Sequence, residues 1–474
     1  MNRMRSLSTF KSITYKSMKT YEAIIIGGGG GLKLRPISNL GHKIAIIEKE
    51  SLGGTCLNRG CIPSKMLIHP ADILDELREA HKFDLKVDTN FAVDFSKLTQ
   101  RVTVSVTKSS DSIVDAYEKN ENVDFYHAEA KFVSDKVIEV GGETITANRI
   151  FIATGARPRV PNIEGLEGTP FMTSREALRR KTQPKSMVVI GGGYIAVELG
   201  HFYRSLGTEV DFLVRSKVLR NEDCEVAAEF LKGFKLNHRV HMGVSPTKVS
   251  YEDDVFTVTV KDKDNNVSEM KAEALFVAAG IVPNSDTLAL KNTSIKVSDK
   301  GFIEVDDRLQ TSVPGVYALG DVVGNYFFRH SVNFEGEYLL RTLYGAPTDE
   351  AIDYPPVPHA VFSSPQIGGV GKTEEELVSE GVDFVKGVNT YTASAFGGDV
   401  LMSEVGLVKL MFDRSSRKLL GAHIVGKEAS SMIHMCIAYM NMDATLDDML
   451  RTIYIHPAFP EVIRNAARKA NEAF

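Results

Sequence analysis

Cys56-Leu57-Asn58-Arg59-Gly60-Cys61 places two of the chain's four cysteines within one short segment. Three chemistries suit such a pair. A zinc site would need two more ligands at a similarly short spacing, and none follows. Two unrelated buried thiols would need no partner at all. A redox disulfide is the third reading, with an obstacle of its own. Five residues of regular helix separate Cα atoms by about 7.5 Å along the axis, more than a disulfide normally spans. Gly60 offers the backbone freedom to shorten that distance. The spacing alone leaves all three open.

Two glycine clusters suggest nucleotide chemistry. Gly27 to Gly31 follow the apolar run Ala23-Ile24-Ile25-Ile26, and Glu48 ends the next strand-like run at Lys43–Glu48. Glycines there let a backbone approach a pyrophosphate, and an acid about 20 residues on grips a ribose hydroxyl. The fingerprint is imperfect: Leu32 stands in the third glycine position, and Pro36 interrupts the expected helix. Gly191-Gly192-Gly193-Tyr194-Ile195-Ala196 fits better, with the permitted alanine third. Its following strand ends on Arg215 rather than an acid, and Arg220 comes soon after. Arginine suits a 2′-phosphate where an acid suits a 2′-hydroxyl. The alternative is two solvated loop arginines.

These groups need elements to hold them. Glu22–Gly27 and Met187–Ile190 read as buried parallel strands, and Ile195, Leu199, Phe202 and Leu206 form an apolar helical stripe. A helix-rich stretch from Pro63 to Asn120 lies between Lys43–Glu48 and the strand-like runs Val123–Val140 and Ile145–Ala153. The second nucleotide unit closes near Ala279-Gly280. After Pro355-Pro356 the composition shifts to strands and long helices.

With 474 residues, a soft prior of one domain per roughly 150 residues suggests about three. Hydrophobic residues at 43% and charged residues at 25% describe a folded chain, and a net charge of -5 argues against nucleic-acid or membrane-surface partners. No run of about 18 apolar residues is present. Four cysteines in so long a chain point to a reducing compartment. Arg3, Arg5, Lys11, Lys16 and Lys19, with no acid before Glu22, resemble a mitochondrial presequence, which would place the protein in the matrix. The preferred reading takes Met18 as the start of a cytoplasmic protein.

The flanks of the cysteine pair carry a family likeness. Gly53-Gly54-Thr55-Cys56 and Cys61-Ile62-Pro63-Ser64-Lys65 resemble the active-site signature of the class I pyridine nucleotide–disulfide oxidoreductases. These flavoproteins include dihydrolipoamide dehydrogenase, glutathione reductase and mycothione reductase. The resemblance runs from residue 21 to 470 through Ala153-Thr154-Gly155, Thr311, Gly320-Asp321 and His456-Pro457-Ala458-Phe459-Pro460-Glu461. It implies an α/β fold with two Rossmann-like dinucleotide-binding domains and a C-terminal α+β dimerisation domain. The expected divisions are an extension at 1–20, FAD-binding parts at 21–158 and 283–354, an NAD(P)-binding domain at 159–282 and an interface domain at 355–474.

The resemblance also implies roles. Cys56 would attack the substrate disulfide and Cys61 would face the flavin. Lys65 would sit by the flavin ring and pair with Glu198, while Asp321 holds the FAD ribityl and phosphate region. Glu48, Thr154 and Gly155 fall in the FAD motifs, and Gly280 in the nucleotide domain. His456, oriented by Glu461 and supplied by the other subunit of a homodimer, would be the acid–base partner of Cys56. A nearby imidazolium lowers a thiol's pKa and later protonates the leaving thiol. Cys224 and Cys436 read as structural thiols, and His330 as either a flavin neighbour or a structural residue.

Within the family the tail excludes two members. Mercuric reductase and the large thioredoxin reductases need a further C-terminal redox pair, and Lys469-Ala470-Asn471-Glu472-Ala473-Phe474 has no cysteine. The soluble transhydrogenase lacks the first redox cysteine, present here as Cys56. The Cys56–Lys65 segment looks most like dihydrolipoamide dehydrogenase, which uses NAD and serves a lipoyl-bearing E2 complex. Arg215, the short glycine loop, Glu428-Ala429-Ser430-Ser431 and the Ile455-His456-Pro457-Ala458 ending look more like mycothione reductase, which uses NADPH on a small disulfide. Ile281, where many relatives have arginine, favours neither. The NADPH-linked reductase is the preferred expectation, and a non-catalytic flavin-binding scaffold is the remote one.

Overall fold

The chain's first strand runs through the middle of a parallel sheet. In the computed structural model, which describes residues 18–346 and 348–474, β1 (Lys19–Ile26) lies between β2 (Ile44–Ile47) and a long later strand. Ala23 to Ile26 and all of β2 are buried, as expected where both sheet faces are covered. The chain then forms α1 (Gly54–Arg59), α2 (Cys61–Glu79) and α3 (Phe95–Glu118) before β3 (Val123–Tyr126) joins the edge of β2. β4 (Ala130–Ser134), β5 (Val137–Val140) and β6 (Glu143–Ile152) complete the path β3-β2-β1-β6-β5-β4.

Gly27 turns the chain out of β1 at φ +114, where a Cβ would stand 2.2 Å from the Ala153 carbonyl oxygen. The segment Gly30–Leu40 winds as a 3-10 helix with Pro36 inside it. Proline cannot donate to an α-helical ladder, so the tighter form replaces the expected Rossmann helix. Leu32, in place of the third glycine, packs into the core beside β1.

β7 (Ala156–Pro158) and α4 (Ser174–Ala177) lead into the second unit. There β8 (Ser186–Ile190), α5 (Tyr194–Ser205), β9 (Glu209–Val214), α6 (Cys224–Asn237) and β10 (Arg239–Met242) form a parallel βαβαβ run. An antiparallel meander of β11 (Ser245–Glu252), β12 (Val255–Lys261) and β13 (Val267–Ala272) follows, and β14 (Ala274–Val277) returns to pair with β8. β15 (Ile281–Pro283) pairs back onto β7. β16 (Val316–Ala318) then rejoins the first sheet beside the C-terminal end of β6. α7 (Arg329–Tyr344) packs over it.

The last part is a five-stranded antiparallel sheet. Its order is β17 (His359–Val361), β18 (Gln366–Gly371), β21 (Leu419–Gly426), β20 (Leu407–Asp413) and β19 (Phe384–Thr390), with α8 (Glu374–Ser379) in the β18–β19 connection. α9 (Ala429–Asn441), α10 (Leu446–Arg451) and α11 (Pro460–Asn471) cover it. Lys409 of β20 is fully buried and meets Asp223, the N-cap of α6, at 2.9 Å. One apolar core joins Leu67 of α2, Phe202 of α5, Phe230 of α6 and Ile367 of β18. The helix that starts at Cys61 is thereby fixed against both the second unit and the last sheet. Among the described residues, no helix is long and apolar enough to cross a membrane.

Candidate active site

Gly53 and Gly54 both take left-handed conformations, φ +100 and +64, to turn the chain into α1. A Cβ on Gly54 would stand 2.5 Å from the Cα of Gly29, so the cysteine segment and the first glycine loop touch backbone to backbone. The Asn58 amide donates to the Leu52 carbonyl at 2.9 Å and to the Ser51 and Gly54 carbonyls at 3.2 Å, locking the turn. Helical geometry then breaks at Gly60, φ −148 and ψ −112, and restarts at Cys61. The two cysteines therefore do not share one regular helix, and the separation expected of such a helix does not apply.

The two cysteines are free thiols here, and each shifts the ionisation of the other. Cys56 is the largest influence on Cys61 and holds its pKa down to about 7; burial opposes this, while the charges of Lys65 and Arg329 assist. Cys56 is pushed up by Cys61 and then by burial. Cys61 is therefore the thiol that ionises first. No cluster of His, Cys, Asp and Glu able to hold a metal occurs among the described residues.

One turn into α2, the Lys65 ammonium donates to Glu198 of α5 at 2.8 Å. Glu198 is buried and accepts a second bond from the Phe362 N–H at 2.9 Å. Burial raises its pKa against the pull of Lys65. Lys65 also lies 4.3 Å above the Phe362 ring.

These groups line one cavity of about 1770 Å³, larger than the roughly 300–1,000 Å³ of ordinary ligand pockets. Its wall carries Gly27, Gly29, Glu48, Gly54, Thr55, Thr154, Gly155 and Asp321. Cys56, Cys61, Lys65, Tyr194, Ile195 and Glu198 share the same wall. Glu48 accepts from the Gly28 N–H at 2.7 Å and the Glu50 N–H at 2.8 Å, which fixes its carboxylate beside the glycine loop. Thr154 Oγ1 is buried with no partner among the described residues, and burial pushes Asp321 up to about 6. An orphaned hydroxyl, a buried carboxyl and a glycine cradle closed to any Cβ fit a flavin dinucleotide.

Other expected residues lie off this wall. Gly191 turns at φ +136 with a Cβ position 2.3 Å from the Ala278 carbonyl oxygen, Gly193 precedes α5, and Ala196 is fully buried in it. Gly280 has φ +110. Arg215 and Arg220 are exposed beyond β9, and neither makes a hydrogen bond or ion pair among the described residues.

His456 sits elsewhere. Its Nδ1 lies 3.0 and 3.1 Å from the Glu461 oxygens, leaving Nε2 outward on an exposed ring. Burial would raise the Glu461 carboxyl, but the bonds from His456 and the Ala458 N–H, with the Arg464 charge, hold it below the usual range. A single chain does not bring His456 to the cavity wall. Ile453 and Ile455 beside it are 96% and 79% exposed.

Cys436 is buried and pushed up to about 12, as a structural thiol should be. Cys224 is instead exposed at the start of α6. His330 lines the cavity and pairs with the Pro358 carbonyl at 2.7 Å. Its neighbour Arg329 was not singled out from sequence; a basic residue after Phe327-Phe328, close to Asp321, was the available signal.

The family model for pyridine nucleotide-disulphide oxidoreductase matches residues 21–337, and the model for its dimerisation domain matches 357–467. The chain belongs to the pyridine nucleotide-disulphide oxidoreductase family. It is 33% identical to a dihydrolipoyl dehydrogenase of Rhizobium etli, over 95% of this chain and 98% of that protein. It is equally 33% identical to a mycothione reductase of Mycobacterium tuberculosis, over 95% and 99%. Among solved structures it resembles the HOCl-induced flavoprotein disulfide reductase RclA from Escherichia coli at 26% identity and a TM-score of 0.84, covering 95% of this chain and 99% of that one. The protein is accordingly an oxidoreductase of a family that depends on FAD and a pyridine nucleotide.

Proposed function

We propose that the protein is a homodimeric, FAD-dependent NADPH:disulfide reductase acting on a low-molecular-weight disulfide. The observation that carries this reading is the pair of free thiols Cys56 and Cys61 on a wall shared with Lys65–Glu198 and Asp321, with Cys61 held down to about 7. FAD, held by the Gly27–Gly31 loop, Glu48, Thr154 and Asp321, supplies the two-electron link between the nicotinamide and the thiols.

The protein's own groups perform the thiol exchange. His456 of a second copy takes the Cys56 proton, and the Cys56 thiolate attacks one sulfur of the substrate disulfide. The leaving thiolate receives that proton from His456, which the Glu461 carboxylate holds through Nδ1. Cys61 thiolate then attacks Cys56 within the mixed disulfide, releases the second product thiolate and closes the Cys56–Cys61 bond. The exposed ring of His456, flanked by exposed Ile453 and Ile455 within the matched dimerisation domain, supports its use across an interface.

Gly191, Gly193 and Ala196 would receive the nucleotide pyrophosphate at the start of α5. Arg215 and Arg220, without a hydrogen bond or ion pair among the described residues, favour the 2′-phosphate of NADPH. We also propose the boundaries 21–158, 159–282, 283–354 and 355–474 for the four functional parts. β16 rejoining the first sheet supports assigning 283–354 to the FAD side.

Equal identity to dihydrolipoyl dehydrogenases favours a second reading, oxidation of a dihydrolipoyl group with NAD. Steady-state comparison of NADPH and NADH, against lipoamide and several small disulfides, separates the two. NADPH preference with a small disulfide supports the first reading, and efficient NAD-linked dihydrolipoamide oxidation overturns it.

A further inference from the structure

The reduced dithiol carries a negative charge in this cavity, and the cation nearest in sequence is shared with a carboxylate. Lys65 is bonded to the buried Glu198 carboxylate at 2.8 Å, and His456 lies off this wall. Arg329, the first residue of α7, is different. It is half-buried, lines the cavity with Cys56 and Cys61, and has no hydrogen bond, ion pair or ring contact among the described residues.

An unpaired guanidinium withdrawn from water loses hydration without a compensating bond. That loss is offset when an anion forms within its field. We propose that Arg329 is a second cation that, beside Lys65, sustains the thiolate of the reduced Cys56–Cys61 pair, and so favours the reduced over the disulfide form. This rests on the reading of the pair as a redox dithiol.

A reduced nicotinamide nucleotide delivers two electrons and one proton. The S–S bond breaks, the proton resides on Cys56, and Cys61 remains as thiolate facing a charge that the neutral disulfide did not offer. The guanidinium stays protonated throughout the working pH range, so its field is constant while the thiols titrate. Its charge lowers both thiols, in the same direction as Lys65.

Lys65 adds a field of the same sign, which an Arg329 variant leaves in place. On α5, Tyr194 is kept protonated by burial, and Glu198 is engaged by Lys65. Asp321, beyond β16, acts in the opposite sense, as any carboxylate near a thiolate does. His69 of α2, Arg101 of α3 and His330 of α7 share the cavity wall and stay constant between wild type and an Arg329 variant.

The test titrates thiols and needs no substrate. FAD-loaded wild type, Arg329→Met and Arg329→Lys are reduced with one equivalent of dithionite, and iodoacetamide alkylation is followed against pH beside the long-wavelength absorbance. In Arg329→Met the midpoints of both profiles should rise by about one pH unit, slowing alkylation at neutral pH roughly tenfold. Arg329→Lys should restore most of the shift. Unchanged midpoints in a yellow, folded Arg329→Met overturn the proposal. Should that variant lose FAD, Arg329→Gln carries the same comparison. If both neutral variants are colourless while Arg329→Lys is yellow with a wild-type profile, alkylation of their apoproteins decides. Profiles matching the wild-type apoprotein overturn the proposal, and raised midpoints support it. A wild type without disulfide turnover sinks the functional reading instead, and leaves the thiol titration to be read on its own.

Discussion

Lys65 and Glu198 meet at 2.8 Å across the boundary between the dithiol helix and the second nucleotide unit. Glu198 is 4% exposed, so removing its cation leaves a buried carboxylate with only the Phe362 N–H. Lys65→Met should destabilise the fold by about 2 kcal/mol at pH 8, since the exposed part of Lys65 screens the pair. A carboxyl whose folded pKa is raised contributes stability below its unfolded value and loses it as pH rises through the folded one. The melting temperature deficit of Lys65→Met should therefore shrink at pH 5, and Lys65→Met/Glu198→Gln should lose that pH dependence. Thermal melts at both pH values check this.

Gly54→Ala should yield protein without flavin. The new methyl would stand 2.5 Å from the Gly29 Cα at φ +64, and both partners are backbone. Neither can yield without opening the glycine loop. The ratio of visible to ultraviolet absorbance after purification measures the loss; a fully yellow variant contradicts this site assignment.

The thiols should titrate in order. With Cys61 held near 7, the long-wavelength band of the two-electron-reduced enzyme should be present above that pH and fade as pH falls through it. Cys56→Ala removes the largest influence on Cys61, and should move the midpoint upward. Disulfide turnover should vanish in Cys56→Ser while nucleotide-driven flavin reduction persists. Spectrophotometric titration and stopped-flow reduction report these separately.

Replacing Arg215 and Arg220 together by alanine should weaken NADPH by roughly ten- to a thousandfold, at about 1.5–3 kcal/mol for each charge-assisted bond less solvent screening. NADH kinetics should barely change. Arg215→Glu should turn preference toward NADH by adding repulsion against the phosphate. A wild type that prefers NADH would mark both arginines as solvated bystanders.

Subunit mixing tests the origin of His456. Cys56→Ser and His456→Ala homodimers should each be inactive in disulfide turnover. Random exchange makes half the dimers mixed, each with one intact site, so about a quarter of wild-type activity should return. No recovery after demonstrated exchange would contradict an intersubunit site.

Much of this architecture was legible from local sequence. The apolar run Ala23–Ile26, the glycines after it and the stripe Ile195, Leu199 and Phe202 depend on periodicity and on backbone freedom, properties a linear chain displays directly. Pro36 foretold the broken helix because its missing N–H acts within one turn. The pairing of Lys65 with Glu198 came from family likeness, and no spacing rule reaches across so long an interval.

Tertiary structure alone decided which cations stay free. Arg329 has no motif, and its meaning arises because α7 starts on the cavity wall that holds Cys56 and Cys61 while its side chain has no bond or ion pair among the described residues. The ionisation order of the two thiols belongs to the same class. Cys56 and Cys61 are the same residue type, and only their three-dimensional surroundings push one up and hold the other down. Electrostatic roles depend on distance and burial in three dimensions, which a sequence pattern does not contain.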